Sequence, residues 1–193
     1  MPRVTALPAA ALSPEAADIY RRFAAYGPFA DQAAVLAHVP SALVHLCPML
    51  MELKSTRAVP WRYIELAIVV VSKLNACAYC VASHSPVLEV EGLSAAAVAG
   101  LPNAGHPDLD EVDRLVIEYA TLVTESAGRI RDNVFARLRR HFSEAQIVEL
   151  TLRIALAGFF NRFNEALQID DGAAAAAFHA LDSHPATTET GND

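Results

Sequence analysis

The chain has 193 residues, enough for one domain with a full core or two small ones. Apolar residues make up 53% and charged residues only 19%, a balance that leaves apolar surface for a subunit interface and predicts a homo-oligomer. The net charge of −7, with no basic cluster larger than the "RLRR" of residues 137–140, argues against a nucleic-acid footprint, and three cysteines are too few for a disulfide scaffold. The apolar runs Leu66–Val71 and Ile154–Phe160 are far shorter than the ~20 residues of a membrane span. Lys73 and Arg153 lie beside them. The opening "MPRVTALPAAALSPEAADIYRRF" makes a poor signal peptide, so a cytoplasmic protein is expected.

Turn residues divide the chain into helical blocks, and no segment alternates with period two over strand length. The predicted fold class is all-α, as one domain over residues 1–182 with a disordered polar tail, 183–193. Ser13-Pro14-Glu15 opens the first helix, serine capping it and proline at its first position. Short helices follow at Phe29–His38 and Ser41–Ser55. Pro60 starts a fourth, which carries Trp61, Tyr63, Glu65 and the apolar run to Val71. A break at Leu74-Asn75, with Asn75 as the expected cap, precedes a cysteine helix that Gly92 ends. Pro86 should kink that helix just after His84. The loop "GLPNAGHPD" leads to a helix over Asp110–Glu125. Asp132 or Asn133 caps a short helix to His141, and Ser143 with Gln146 forms a capping box for a long one reaching Ile169.

The sequence also repeats itself. At an offset of 84, Glu65-Leu66 matches Glu149-Leu150, Tyr79 matches Phe163, Cys77 and Cys80 fall on Asn161 and Asn164, and His84 falls on Gln168. Read as a duplication, one half holds redox chemistry and the other the same scaffold with inert side chains, with Asn161 and Arg162 near the repeat-equivalent bend.

Cys77, Cys80 and His84 share one face of a helix. Glu65 lies twelve residues before Cys77, about 18 Å along a continuous helix. The bend brings it back, because Glu65 is ten residues before Asn75 and His84 nine after it. In an antiparallel hairpin the two lie level, so Glu65 can orient His84, which can take the Cys80 proton directly or through water. A free thiol is only ~3% thiolate at pH 7, and the thiolate is the nucleophile. Cys80 is then the attacking sulfur, and Cys77, one turn away, can resolve a sulfenic acid or mixed disulfide. Two alternatives stay open: a zinc site built on the two cysteines and the histidine, and a purely structural pair. Cys47 reads as a core residue, Trp61 and Tyr63 as packing at the start of their helix, and Tyr79 as packing or the lining of a small pocket. No haem, flavin or nicotinamide motif appears, so no cofactor is expected.

Glu65, the twelve-residue gap, Cys77-x-x-Cys80, His84 and Gly92 together resemble the alkylhydroperoxidase D-like branch of the carboxymuconolactone decarboxylase family. The resemblance extends to Glu118-Tyr119-Ala120, "DNVFARLRRHFSEAQIVELTL" and "NRFNEAL". It implies an all-helical fold with an internal repeat, assembly as trimers or hexamers, and a peroxidase or thiol–disulfide activity. In that activity Glu65 and His84 activate Cys80, Cys77 resolves, a small hydroperoxide is the substrate, and a dithiol or thioredoxin-like protein donates electrons. The best-known members carry a histidine where this chain has Tyr79, which bears on how Cys77 is handled and on the peroxidase rate. Decarboxylase members generally lack the cysteine pair. A disulfide adaptor and a lyase using Glu65 and His84 as acid and base are the alternative functions.

Overall fold

A computed structural model describes residues 3–27 and 29–169, and its regular elements there are all helical. The fold class is all-α, as the sequence predicts. In chain order the α-helices are α1 (Pro14–Tyr26), α2 (Ala30–Leu36), α3 (Pro40–Thr56), α4 (Trp61–Leu74) and α5 (Ala78–Val90), then α6 (Ala95–Gly100), α7 (Glu111–Ser126), α8 (Asp132–Leu138) and α9 (Glu144–Leu167). The expected tail, 183–193, lies outside the described residues.

The centre of the molecule is α4. Its "IVVV" run is poor helix sequence, since β-branched side chains lose rotamer freedom against the preceding turn. Burial overrides that preference: Ile64, Leu66, Ala67, Val69, Val70 and Val71 are all inaccessible, packed among α5, α7 and α9. Each large apolar side chain so buried contributes about 1.5–3 kcal/mol. At the start of the helix, Arg62 donates two hydrogen bonds to Asp113, from Nε at 2.9 Å and Nη2 at 2.6 Å. Asp113 also closes a capping box with Asp110 at the start of α7, so one carboxylate ties two helix starts together.

The reversal from α4 into α5 sets the site. The Cys77 N–H donates to the Ser72 carbonyl (2.9 Å) and the Ala76 N–H to that of Lys73 (3.1 Å), the two hydrogen bonds of a Schellman ending. Ala76 occupies the left-handed position such an ending requires, with φ +54°. Asn75 therefore closes α4 rather than opening α5, which corrects its expected role. Cys77 itself is the N-cap: its sulfur accepts the Cys80 N–H at 3.4 Å. Pro86 sits inside α5, which continues through it to Val90.

Two further features concern the second half. The short α6 lies in a stretch the sequence leaves without an element; Ser94 caps it by accepting the Ala97 N–H, and the Lys73 ammonium donates to the Val98 and Ala99 carbonyls near its end. α9 runs unbroken from Glu144 to Leu167 behind the predicted Ser143–Gln146 capping box, the long helix the sequence predicts, and the repeat equivalent of the reversal carries no bend. The reason is local: Gly158-Phe159 stands where α4 has Leu74-Asn75, and Phe160 where Ala76 turns left-handed. α9 does end in a Schellman pair, with Gln168 left-handed and the Ile169 N–H on the Asn164 carbonyl.

α1, α2 and α3 build a second apolar cluster around Phe23, Ala33, Leu43 and the fully buried Cys47, and lie against Leu156, Phe160 and Phe163 of α9. Between this layer and the α4–α5–α9 core is a cavity of about 190 Å³.

Candidate active site

The antiparallel hairpin of α4 and α5 brings Glu65 and His84 level, and a 2.7 Å hydrogen bond joins Glu65 Oε2 to His84 Nδ1. Glu65 is buried, and the His84 side chain is 17% exposed, open to the cavity. Burial pulls the His84 pKa down, but the Glu65 charge and hydrogen bond, aided by the Cys80 sulfur, more than reverse this and hold it above its usual value. Nδ1 is committed to Glu65, so Nε2 is the nitrogen left for exchanging a proton. The Phe29 ring lies against the imidazole, centroids 5.7 Å apart.

One turn before His84, Cys80 is buried and lines the same cavity. Its thiol is held down at a pKa of about 7, chiefly by a hydrogen bond from Cys77; burial opposes this, and the Asn164 and Asn161 amides and the charge of His84 assist. Cys77 is driven the other way, well above the ordinary thiol range, because its proton is shared with Cys80 and because it is buried. The pair therefore holds one readily formed thiolate, on Cys80. The hydrogen bonds on the Cys80 sulfur come from Cys77 and the amides, and His84 acts on it through charge.

The asparagines are the part of the site the sequence reading treated as inert. Asn164 Nδ2 donates to Cys80 Sγ at 3.3 Å across a sequence separation of 84, so the two repeat-equivalent positions meet in space. The Gln32 amide donates to Asn164 Oδ1 at 3.0 Å, which keeps the NH₂ of Asn164 turned toward the sulfur. Asn161 accepts from Asn75 Nδ2 at 2.9 Å and donates to Ser72 Oγ at 3.1 Å, locking α9 against the reversal. The repeat offset pointed to Asn164, but only the packing of α9 on α5 gives that offset its meaning.

The remaining sequence candidates fall as follows. Tyr79 is buried and lines the cavity, whereas Cys47 is a core residue whose thiol burial pushes up to about 12. Tyr63 packs edge-on against Phe142, but Trp61, assigned to packing alone, also faces the cavity with the cations Lys54 and Arg153 near its ring. Among the described residues, no three His, Cys, Asp or Glu side chains converge as a metal site would require, and no helix is long and apolar enough to cross a membrane.

A profile of the carboxymuconolactone decarboxylase family matches residues 37–105, a span that holds α4, the reversal and α5. The uncharacterized protein YnjA of Escherichia coli (strain K12) is 30% identical over 100 residues, covering 51% of this chain and 55% of that protein. The chain thus spans about half the length of the curated relative it matches. In fold, it resembles the alkylhydroperoxidase AhpD core of an uncharacterized peroxidase-related protein from Ralstonia eutropha JMP134, with a TM-score of 0.71 and 22% identity over 90% of this chain and 94% of that one. It also resembles the debrominase Bmp8, with a TM-score of 0.70 and 20% identity over 85% and 89%. The family profile covers the hairpin, and the helical architecture is shared with the alkylhydroperoxidase AhpD core: residues 37–105 of this chain are similar to the carboxymuconolactone decarboxylase family.

Proposed function

We propose that the protein is a thiol peroxidase working through Cys77 and Cys80. The observation that carries this reading is the Cys80 thiol, held near pH 7 by Cys77 and the amides, in one apolar cavity with the Glu65–His84 pair. The Cys80 thiolate attacks the terminal oxygen of a small hydroperoxide. The O–O bond breaks, Cys80 becomes a sulfenic acid, and the departing alkoxide takes the proton of the His84 imidazolium to leave as an alcohol. The Cys77 thiol then attacks the Cys80 sulfur. The S–O bond breaks, the disulfide forms, and hydroxide leaves with the Cys77 proton as water. A dithiol or thioredoxin-like donor returns two electrons and two protons by exchange.

The division of labour follows from the two environments. Cys80 has the lowered pKa and faces the cavity, while Cys77 is wholly buried at the N-cap and kept as a thiol until the sulfenic acid forms. Glu65 fixes the imidazole by its Nδ1 and stabilises its charged form, the one that serves the leaving alkoxide.

The test is a thiol count and intact mass before and after one equivalent of cumene hydroperoxide, with Cys80→Ser beside the native protein. Loss of two thiols and about two mass units, absent in the variant, is expected from the disulfide chemistry. Two thiols left free would overturn the reading. A disulfide adaptor would be reducible by a dithiol yet slow with peroxide, and a lyase built on Glu65 and His84 would keep its activity in Cys80→Ser.

A further inference from the structure

The cavity carries more positive charge than its own residues answer. Arg153, on α9, is only 4% exposed and lines the cavity, and neither its Nε nor its Nη2 has a hydrogen-bond partner. Its guanidinium carbon lies 5.2 Å from the Trp61 ring centre, and the Lys54 Nζ lies 5.4 Å from the same ring. Neither cation belongs to an ion pair among the described residues. Lys54 has one long hydrogen bond, 3.4 Å to the Tyr26 carbonyl, and the polar group facing Arg153 is the neutral Tyr26 hydroxyl. The acid that lines the cavity, Glu65, is hydrogen-bonded to His84 and reaches Lys54 only through longer-range charge.

A buried guanidinium with unmet donors is costly, and a second cation over the same ring adds repulsion. Trp61 offsets part of this with its ring face but supplies no counter-charge. With His84 protonated and Cys80 ionised, the cavity holds three positive groups against two negative ones. One negative charge is missing.

We propose that Arg153 and Lys54 form a carboxylate seat, and that the substrate is a monocarboxylate whose apolar body fills the cavity and whose reactive group meets Cys80. A single carboxylate matches both the deficit and the planar fork of the guanidinium, whereas a phosphate dianion would overshoot the charge. Phe23, Leu50, Leu156 and Phe160 supply the apolar wall. Position along the hairpin sets the substrate's polarity. Trp61 lies one turn beyond Glu65, away from the reversal, and Cys80 one turn nearer to it than His84. Seat and sulfur are therefore about two helical turns, ~11 Å, apart, with Glu65 and His84 between them. The volume, about 190 Å³, exceeds the ~150 Å³ cavity that holds a benzene ring, which fits one ring with a short chain. The reactive group is a hydroperoxide, and only this last element rests on the peroxidase reading.

Trp61 is the chain's single tryptophan, so its fluorescence reports on the seat directly. The experiment titrates the full-length protein with 3-phenylpropanoate and with the neutral 3-phenylpropan-1-ol. The acid is expected to bind at least about tenfold more tightly than the alcohol, and Arg153→Gln to erase that advantage, as loss of a charge-assisted pair would. Should Arg153→Gln fail to fold, Lys54→Gln carries the same comparison with a smaller loss. Equal binding of acid and alcohol, or an acid affinity untouched by both substitutions, overturns the seat. The thiol count is then run with cumene hydroperoxide and its para-carboxylate. A para-carboxylate that oxidises Cys80 no faster than the parent compound defeats the inference and leaves the peroxidase reading standing. Oxidation by neither, with Arg153-dependent binding intact, upholds the seat and defeats the peroxidase reading instead.

Discussion

Cys80 is a buried thiol that would ordinarily rise in pKa, and its neighbours reverse the sign. Its alkylation by iodoacetamide should follow a titration with midpoint at about 7, rising with pH as the thiolate forms. Cys47 will not interfere, because its thiol is pushed up to about 12. Asn164→Ala removes one donor to the sulfur and is expected to raise the midpoint by about one unit, slowing alkylation at pH 7 roughly fivefold. Gln32→Ala should raise it less, since it frees the Asn164 amide to turn rather than deleting it. An unchanged midpoint in both variants would mean that Cys77 and His84 suffice. At this scale the sequence was half legible. Glu65 and His84 could be placed side by side by counting outward from Asn75, because a hairpin preserves register. Asn164 could be located but not interpreted, since an amide gains its meaning from the group it faces. Arg153 was visible as an arginine beside an apolar run, but its lack of a partner shows only in three dimensions.

Among the elements, the reversal between α4 and α5 has the tightest requirements. Ala76 holds a left-handed conformation that costs an L-residue about 1–2 kcal/mol, at the position where helices usually place glycine. Ala76→Gly should relieve this and raise the melting temperature by about 2–4 °C, while Ala76→Val should lower it, because a branched Cβ fits that region worst. A melting curve for each variant decides the point, and a gain with valine would refute the account. Capping signals made several boundaries legible: Ser13 for α1 and Ser143 for α9 both cap the helices they announce, whereas Asp110, read as the first residue of its helix, is the cap of α7. Misreadings arose where one residue does two things. Asn75 looks like a starting cap but ends α4, and Cys77, singled out for its chemistry, caps α5 through the same sulfur. The absent bend in α9 has the same lesson, since a repeat passes on apolar spacing more faithfully than it passes on turn chemistry.

At the level of the molecule, the outer face of α9 carries Val148, Leu152 and Phe159, which are 67%, 38% and 48% exposed. All three lie within about 40° of one another around the helix. The homo-oligomer expected from composition would bury this stripe. Leu152→Glu should then shift the protein to a smaller species in light scattering, and an unchanged mass would move the interface elsewhere. The layering has a further consequence. Cys77, Cys80, His84 and Glu65 stand on the α4–α5 hairpin, inside the span that matches the family profile, while Phe23, Tyr26, Phe29 and Gln32 come from α1, α2 and the segment between them, before that span begins. The N-terminal helices pack into the second apolar cluster and reach the chemistry through Phe29 on the His84 ring and Gln32 on the Asn164 amide. The sulfur and its Glu65–His84 partners thus sit in one stretch of the chain and part of the wall a guest meets sits in another, so that part of the wall can change while the sulfur stays.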